Sequence, residues 1–161
     1  MLVTEKKSLK VGRFVNTDHV DQAISNYKQK RWVENSRRLG KEDSLSVWYS
    51  VEELEEFIGK IKENGGDGIR MYFGVYSDNY PENPLYAGRQ TIVMVATKQK
   101  QTLKGSTDKD LYINEGEKAN ILAYNAGKVC PPFCRPIEGG EGMGDLGISL
   151  VDKGDDGFVV I

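Results

Sequence analysis

The chain has one histidine and two cysteines in 161 residues. A lone histidine, His19, excludes a His-rich metal site and a histidine-based acid–base pair. Cys130 and Cys134 make no disulfide framework, which fits a reducing compartment. With His19 they still fall short of a structural zinc site, which needs four ligands. Long apolar runs are missing too. No window approaches the roughly 20 residues of a membrane span, and the opening MLVTEKKSLKVGRF lacks the apolar stretch of a signal peptide. Neither sign of charge dominates: 22 basic and 24 acidic residues leave a net charge of −2. That is too balanced for a surface devoted to nucleic acid or anionic lipid. These absences predict a soluble, cytoplasmic protein with no metal, no cofactor and no membrane contact. Its partner is then a protein or a small molecule rather than nucleic acid.

What is present suffices for one folded domain. At 161 residues and 39% apolar composition the chain can bury a core. Charge is unevenly placed along it. Lys28, Lys30, Arg31, Arg37, Arg38 and Lys41 form a basic run opposed by Glu34 alone. Glu138, Glu141, Asp145, Asp152, Asp155 and Asp156 make the C-terminal stretch acidic. Such poles can attract each other or mark two contact surfaces.

Residues 1–16 read as a short strand or an arm lying on the domain. Thr17 or Asp18 offers an oxygen to cap a helix, and Val20, Ala23, Ile24 and Tyr27 follow at helical spacing. The apolar stripe breaks after Tyr27, and Gly40 is a stop. Leu45, Val47 and Tyr49 alternate with polar or outward positions, as in a short strand. Ser50-Val51-Glu52-Glu53 fits a capping box, and Val51, Leu54, Phe57, Ile58 and Ile61 form one apolar helix face. Residues 69–76, IRMYFGVY, alternate strictly. Ile69, Met71, Phe73 and Val75 read as the core face, with Arg70, Tyr72, Gly74 and Tyr76 opposite. Residues 77–90, with Pro81, Pro84 and Gly88, are a long loop. TIVMVAT, 91–97, is apolar on both faces, as in a central strand. Residues 98–110 read as a flexible hairpin tip and 121–126 as another strand. The order predicts an α+β domain over residues 1–135: a mainly antiparallel sheet of about four strands with two helices packed on it. The glycine-rich acidic tail, 136–161, is expected to be mobile or partner-dependent.

Several motifs fail on context. Gly142-Met143-Gly144-Asp145-Leu146-Gly147 spells G-x-G-x-x-G, but no strand precedes it and no helical pattern follows. Glu52, Glu53, Glu55 and Glu56 lie on the solvated side of an amphipathic helix. Asp152, Asp155 and Asp156 lack the ligand spacing of an EF-hand loop. Cys130-Pro131-Pro132-Phe133-Cys134 departs from the two-residue spacing of thioredoxin-like pairs, and its prolines preclude a regular helix. It is either a proline turn with two partly buried thiols or a reactive, reversibly oxidised pair.

The preferred candidate surface is the strand face of Arg70, Tyr72 and Tyr76, with Trp48 as a neighbour. A guanidinium and phenols give contact area with directional hydrogen bonds, the chemistry of recognition surfaces. SVWYS before an amphipathic helix, then GIRMYFGVY, TIVMVAT and YNAGKVCPPFC, together resemble a family of small uncharacterised bacterial proteins over residues 45–134. The resemblance implies a bacterial, cytoplasmic protein and carries no activity or site residues. The reading is therefore a non-enzymatic binding or protein-interaction module using the Arg/Tyr face. The alternative is a small thiol-dependent enzyme or redox-responsive protein using Cys130 and Cys134. A weaker third is nucleic-acid binding through Lys28, Lys30, Arg31, Arg37 and Arg38, among which Arg31 with Arg38 and Lys30 with Arg37 form two rows at seven-residue spacing on a helix.

Overall fold

The structure, a computed structural model, describes residues 8–134 and the backbone of two short strands at 150–152 and 158–160. The architecture is α+β, with mainly antiparallel pairing, as the order of elements implied. Helix α1 (Thr17–Tyr27), a π turn (Lys28–Trp32) and α2 (Val33–Leu39) continue one another as a single rod. The cap is Asn16, one residue before the expected Thr17 or Asp18. Its backbone is extended and its Oδ1 accepts from His19 N at 3.0 Å. The rod stops at Gly40, whose φ of 74° is a left-handed conformation that glycine takes without steric cost. The break in the apolar stripe after Tyr27 coincides with the π turn. A wider turn rotates the residues beyond it onto a new face, so Trp32 and Ser36 meet residue 43. Trp32 Nε1 donates to Asp43 O at 2.7 Å, and Asp43 N donates to Ser36 Oγ at 2.9 Å. No residue of the rod is buried, and Val20 and Ala23 stay exposed.

Strand β1 (Ser46–Trp48) pairs with β8 (Lys128–Cys130). Helix α3 (Val51–Glu63) forms as its capping box requires. Ser50 Oγ accepts from Glu53 N at 3.1 Å, and Glu53 Oε2 accepts from Ser50 N at 2.7 Å. These bonds, Ser50 N–H first, hold the Glu53 carboxyl below its ordinary pKa, helped by Tyr124 OH, which donates to Glu53 Oε1 at 2.9 Å. A depressed folded-state pKa contributes stability that is complete above the unfolded value and disappears as pH falls through the folded one. Glu53→Gln is therefore expected to melt lower than the parent at pH 6–7. The two melting curves should begin to close as pH falls through the ordinary glutamate value of about 4.3 and converge only below the depressed folded-state pKa. Thermal melts at stepped pH check this, and a gap that persists at acid pH would assign the loss to the cap geometry alone.

The central sheet is built on β3 (Gln90–Thr102). On one side β3 pairs with β2 (Gly68–Val75), and on the other with β4 (Gly105–Asp110) and β7 (Ala123–Tyr124). The polar segment expected as a flexible tip is thus the ordered β3–β4 hairpin. Strands β5 (Tyr112–Glu115) and β6 (Lys118–Ile121) form a second hairpin, so the strand expected over 121–126 is interrupted at Leu122. The interruption is a junction. Ala96 N donates to Leu122 O, Leu122 N to Leu111 O, and Leu111 N to Ala96 O, all at 2.8–2.9 Å. Strands β9 (Leu150–Asp152) and β10 (Phe158–Val160) pair with each other in the tail segment. The G-x-G-x-x-G stretch and the acidic residues at 138–145 lie outside the described residues.

Two apolar clusters hold the domain. Phe57 and Ile61 of α3 pack on Met94, Ala96 and Leu122. Tyr76, Tyr86 and Val129 form the second, with Val47, Tyr80 and Phe133 around them. Gly127 is required there, because a Cβ would lie 2.6 Å from the Tyr49 ring. The second cluster corrects one expectation. Tyr76 is only 6% exposed, its OH accepting from Thr91 Oγ1 at 3.2 Å, so it is core and offers no contact surface. The face of β2 expected to be core is corrected in the opposite sense. Ile69 packs on the first cluster, but Met71, Phe73 and Val75 are 60%, 82% and 69% exposed. Phe57 and Ile61 sit over β3 and their cluster takes in only Ile69 of β2, which is an edge strand among the described residues.

Candidate functional site

Among the described residues strand β2 pairs with β3 on one side only, and it carries distinct chemistry on its two faces. On one face, Arg70 and Tyr72 converge on Asp110 at the end of β4. Arg70 NH1 lies 2.8 Å from Asp110 Oδ1, and Tyr72 OH donates to Asp110 Oδ2 at 2.7 Å. Arg70 NH2 donates to Asp108 O at 2.7 Å, and NH1 to Tyr72 OH at 3.4 Å. Both carboxylate oxygens of Asp110 are thereby used. The cluster is a rigid, charge-balanced plate, half open to solvent. Its acidic member was invisible in the sequence, since Asp110 lies 40 positions from Arg70 and only the β2–β3–β4 register brings them together.

The opposite face is the apolar row Met71, Phe73 and Val75. It leads at Ile69 into a groove of about 600 Å³ lined by Ile58, Ile61, Gly68 and Ile69. At its other end Phe73 and Val75 border clefts under the helical rod, near Tyr27 and Arg38. Sequence alternation identified this row and misassigned its surroundings.

Trp48 is 57% exposed, with the Lys128 ammonium 4.6 Å from its ring centroid. It belongs to the β1–β8 pair rather than the β2–β3–β4 sheet, so it does not join the Arg70 plate. The basic residues share the rod. Lys28 lies over Trp32 at 5.4 Å, and Arg37 pairs with Glu34 at 2.6 Å. The π turn containing Lys30 and Arg31 displaces the seven-residue register that would align them with Arg37 and Arg38.

Cys130 and Cys134 are joined in a disulfide, the oxidised form of the pair and not the two free thiols of the proline-turn reading. The bond closes a short loop that seats Phe133 against Tyr86, at 5.7 Å between rings. Closing a loop this short constrains the unfolded chain by about 2 kcal/mol. Reduction, or replacement of both cysteines by serine, is expected to lower unfolding free energy by about that amount. Urea titrations with and without reductant check it, and the serine pair should lose all sensitivity to reductant.

A third polar assembly anchors the rod to the sheet. Asp43 Oδ1 accepts from Ser44 N at 2.8 Å and from Gln90 N at 2.7 Å. Tyr27 OH donates to Gln90 Oε1 at 2.7 Å, and Ser44 Oγ donates to Gln90 O. Arg89 is buried beside it, donating to Leu85 O at 2.8 Å and to Glu42 O. Burial lowers the Arg89 pKa, opposed by Asp43 and Glu42. Every one of these groups faces another group of the chain, which marks a structural hub.

Among the described residues, no group of three His, Cys, Asp or Glu is placed to hold a metal ion, and no helix is long and apolar enough to cross a membrane. No protein-family model matches the chain, and neither does any curated protein or solved structure. Function therefore rests on the geometry of β2.

Proposed function

We propose that the protein is a non-enzymatic interaction module whose contact strip is strand β2. The observation that carries this reading is the row Met71, Phe73 and Val75, exposed on a sheet edge. Burying large apolar side chains releases roughly 1.5–3 kcal/mol each, so a row left open is a surface suited to a partner. The Arg70–Tyr72–Asp110 plate behind it supplies rigidity and polar specificity. In this reading the protein works in the cytoplasm, where the Cys130–Cys134 bond is open to reduction. That bond favours the second reading, a redox-responsive protein, in which reduction frees Phe133 from the second cluster.

The test is native mass spectrometry on the full chain purified gently from its own cells, beside Phe73→Lys and an Arg70→Ala/Tyr72→Ala variant. A stoichiometric companion, a second copy included, that is lost with Phe73→Lys supports the strip. A bare monomer in every sample, or a companion held equally by all variants, overturns it.

A further inference from the structure

We propose that β2 is the seam of a homodimer in which two copies pair edge to edge, antiparallel, about Tyr72. The inference rests on the reading of β2 as the contact strip and names its partner.

The phase of the hydrogen bonds comes first. Val75 stands opposite Gln90, and the next residue, Tyr76, donates from its N to Arg89 O at 3.0 Å. Antiparallel pairs alternate between hydrogen-bonded and non-bonded positions. Gly74, Tyr72 and Arg70 thus turn their main-chain groups toward β3. Val75, Phe73, Met71 and Ile69 turn theirs outward, so the apolar row also carries the main-chain donors and acceptors of an edge that no strand covers among the described residues.

A two-fold interface must be self-complementary, and β2 is self-complementary about Tyr72. With the axis there, Met71 of one copy meets Phe73 of the other, and Ile69 meets Val75. Every outward main-chain group of these residues finds its counterpart. On the other face Arg70 meets Gly74, whose missing side chain leaves room for the guanidinium. Moving the axis to Phe73 sets Ile69 against Ser77. Moving it to Met71 sets Val75 against Asp67. Each alternative breaks the apolar match.

Charge and area agree. Arg70 is the single charge on β2, faces glycine across the seam and is already balanced by Asp110, so no like charges are opposed. The exposed parts of Met71, Tyr72, Phe73 and Val75 amount to on the order of 500 Å² per copy, so the side chains of the seam bury at most roughly 1,000 Å² in total, the size of a weak, concentration-dependent contact to which main-chain pairing adds. Protected edges carry charged side chains, proline or a bulge. Within β2 the register is continuous and there is no proline, and its one charge, Arg70, is drawn onto Asp110 of the same copy.

Sedimentation velocity on the full chain across the micromolar range is expected to show a concentration-dependent dimer. Phe73→Lys should weaken it roughly thirtyfold or more, and Val75→Lys on the same row repeats the test should the first variant fold poorly. The register has its own readout. Tyr72→Cys places two thiols at a non-bonded pair about 4.5 Å apart between Cα atoms. It should form a disulfide-linked dimer on mild oxidation, and Arg70→Cys should not. A monomer at every concentration, or a dimer indifferent to both lysine variants, overturns the proposal. Hydrogen exchange separates this failure from that of the broader reading. In a monomer, protected amides at Met71 and Phe73 would mean that another segment of the same chain occupies the edge, which removes the second copy and keeps the strip. A different protein lost with Phe73→Lys has the same meaning. A monomer with fast-exchanging edge amides and no companion removes both.

Discussion

Phe57→Ala is expected to lower unfolding free energy by about 3–5 kcal/mol, whereas Phe73→Ala, measured at dilute protein, should change it by less than about 0.5 kcal/mol. Both residues sit in apolar rows of regular elements, and the sequence treats them alike. Phe57 is 4% exposed, stacked on Tyr124 at 5.4 Å and surrounded by Met94, Ala96 and Leu122. Truncating it removes transfer energy and leaves a cavity between α3 and the sheet that neighbours cannot fill. Phe73 has solvent over most of its ring, so truncation returns little to water that was not there already. Urea unfolding monitored by circular dichroism checks the pair. Equal losses at the two sites would mean that the apolar row of β2 is buried within the monomer, which would remove the contact strip.

Asp43→Ala is expected to cost about 3 kcal/mol. Its side chain accepts two main-chain hydrogen bonds, from Ser44 and Gln90, and both residues lie in the joint between the rod and the sheet. Removing the carboxylate orphans two donors, and each buried donor left without an acceptor costs about 1–3 kcal/mol. It also takes a negative charge from the side of buried Arg89. Asp43→Asn keeps an acceptor oxygen and should recover about half of the loss. Because the hub holds Tyr27 and Ser44 through Gln90, hydrogen exchange in the rod should rise in Asp43→Ala while α3 stays protected. A variant as stable as the parent, or one that loosens α3 equally, would contradict this.

The legibility of the fold follows the range of the interactions concerned. The capping box at Ser50 and Glu53, the amphipathic face of α3 and the β-branched, doubly apolar strand at 91–97 are local or periodic signals. Each could be read because the forces that shape it act within a few residues. The α+β class follows from their order. Gly40 and the break after Tyr27 were also readable, although the cause of the break, a π turn that sends Trp32 toward Asp43, was not. The candidate site was half legible. Arg70 and Tyr72 were found by residue chemistry, but Tyr76, on the same alternating face, turned into the second core once the chain left the strand. Asp110, the acid that balances them, gave no signal from 40 positions away. Cys130 and Cys134 gave a spacing whose oxidation state the sequence left open.

Alternation in residues 69–76 determined that β2 has two faces of different chemistry, since successive side chains point in opposite directions whatever surrounds them. It did not determine which face would be covered. That was decided by where α3 lands, over Met94 and Ala96 of β3, and by β2 taking the edge of the sheet. A helix's position over a sheet is set by contacts among distant segments, and an edge exists only once the other strands have taken their places.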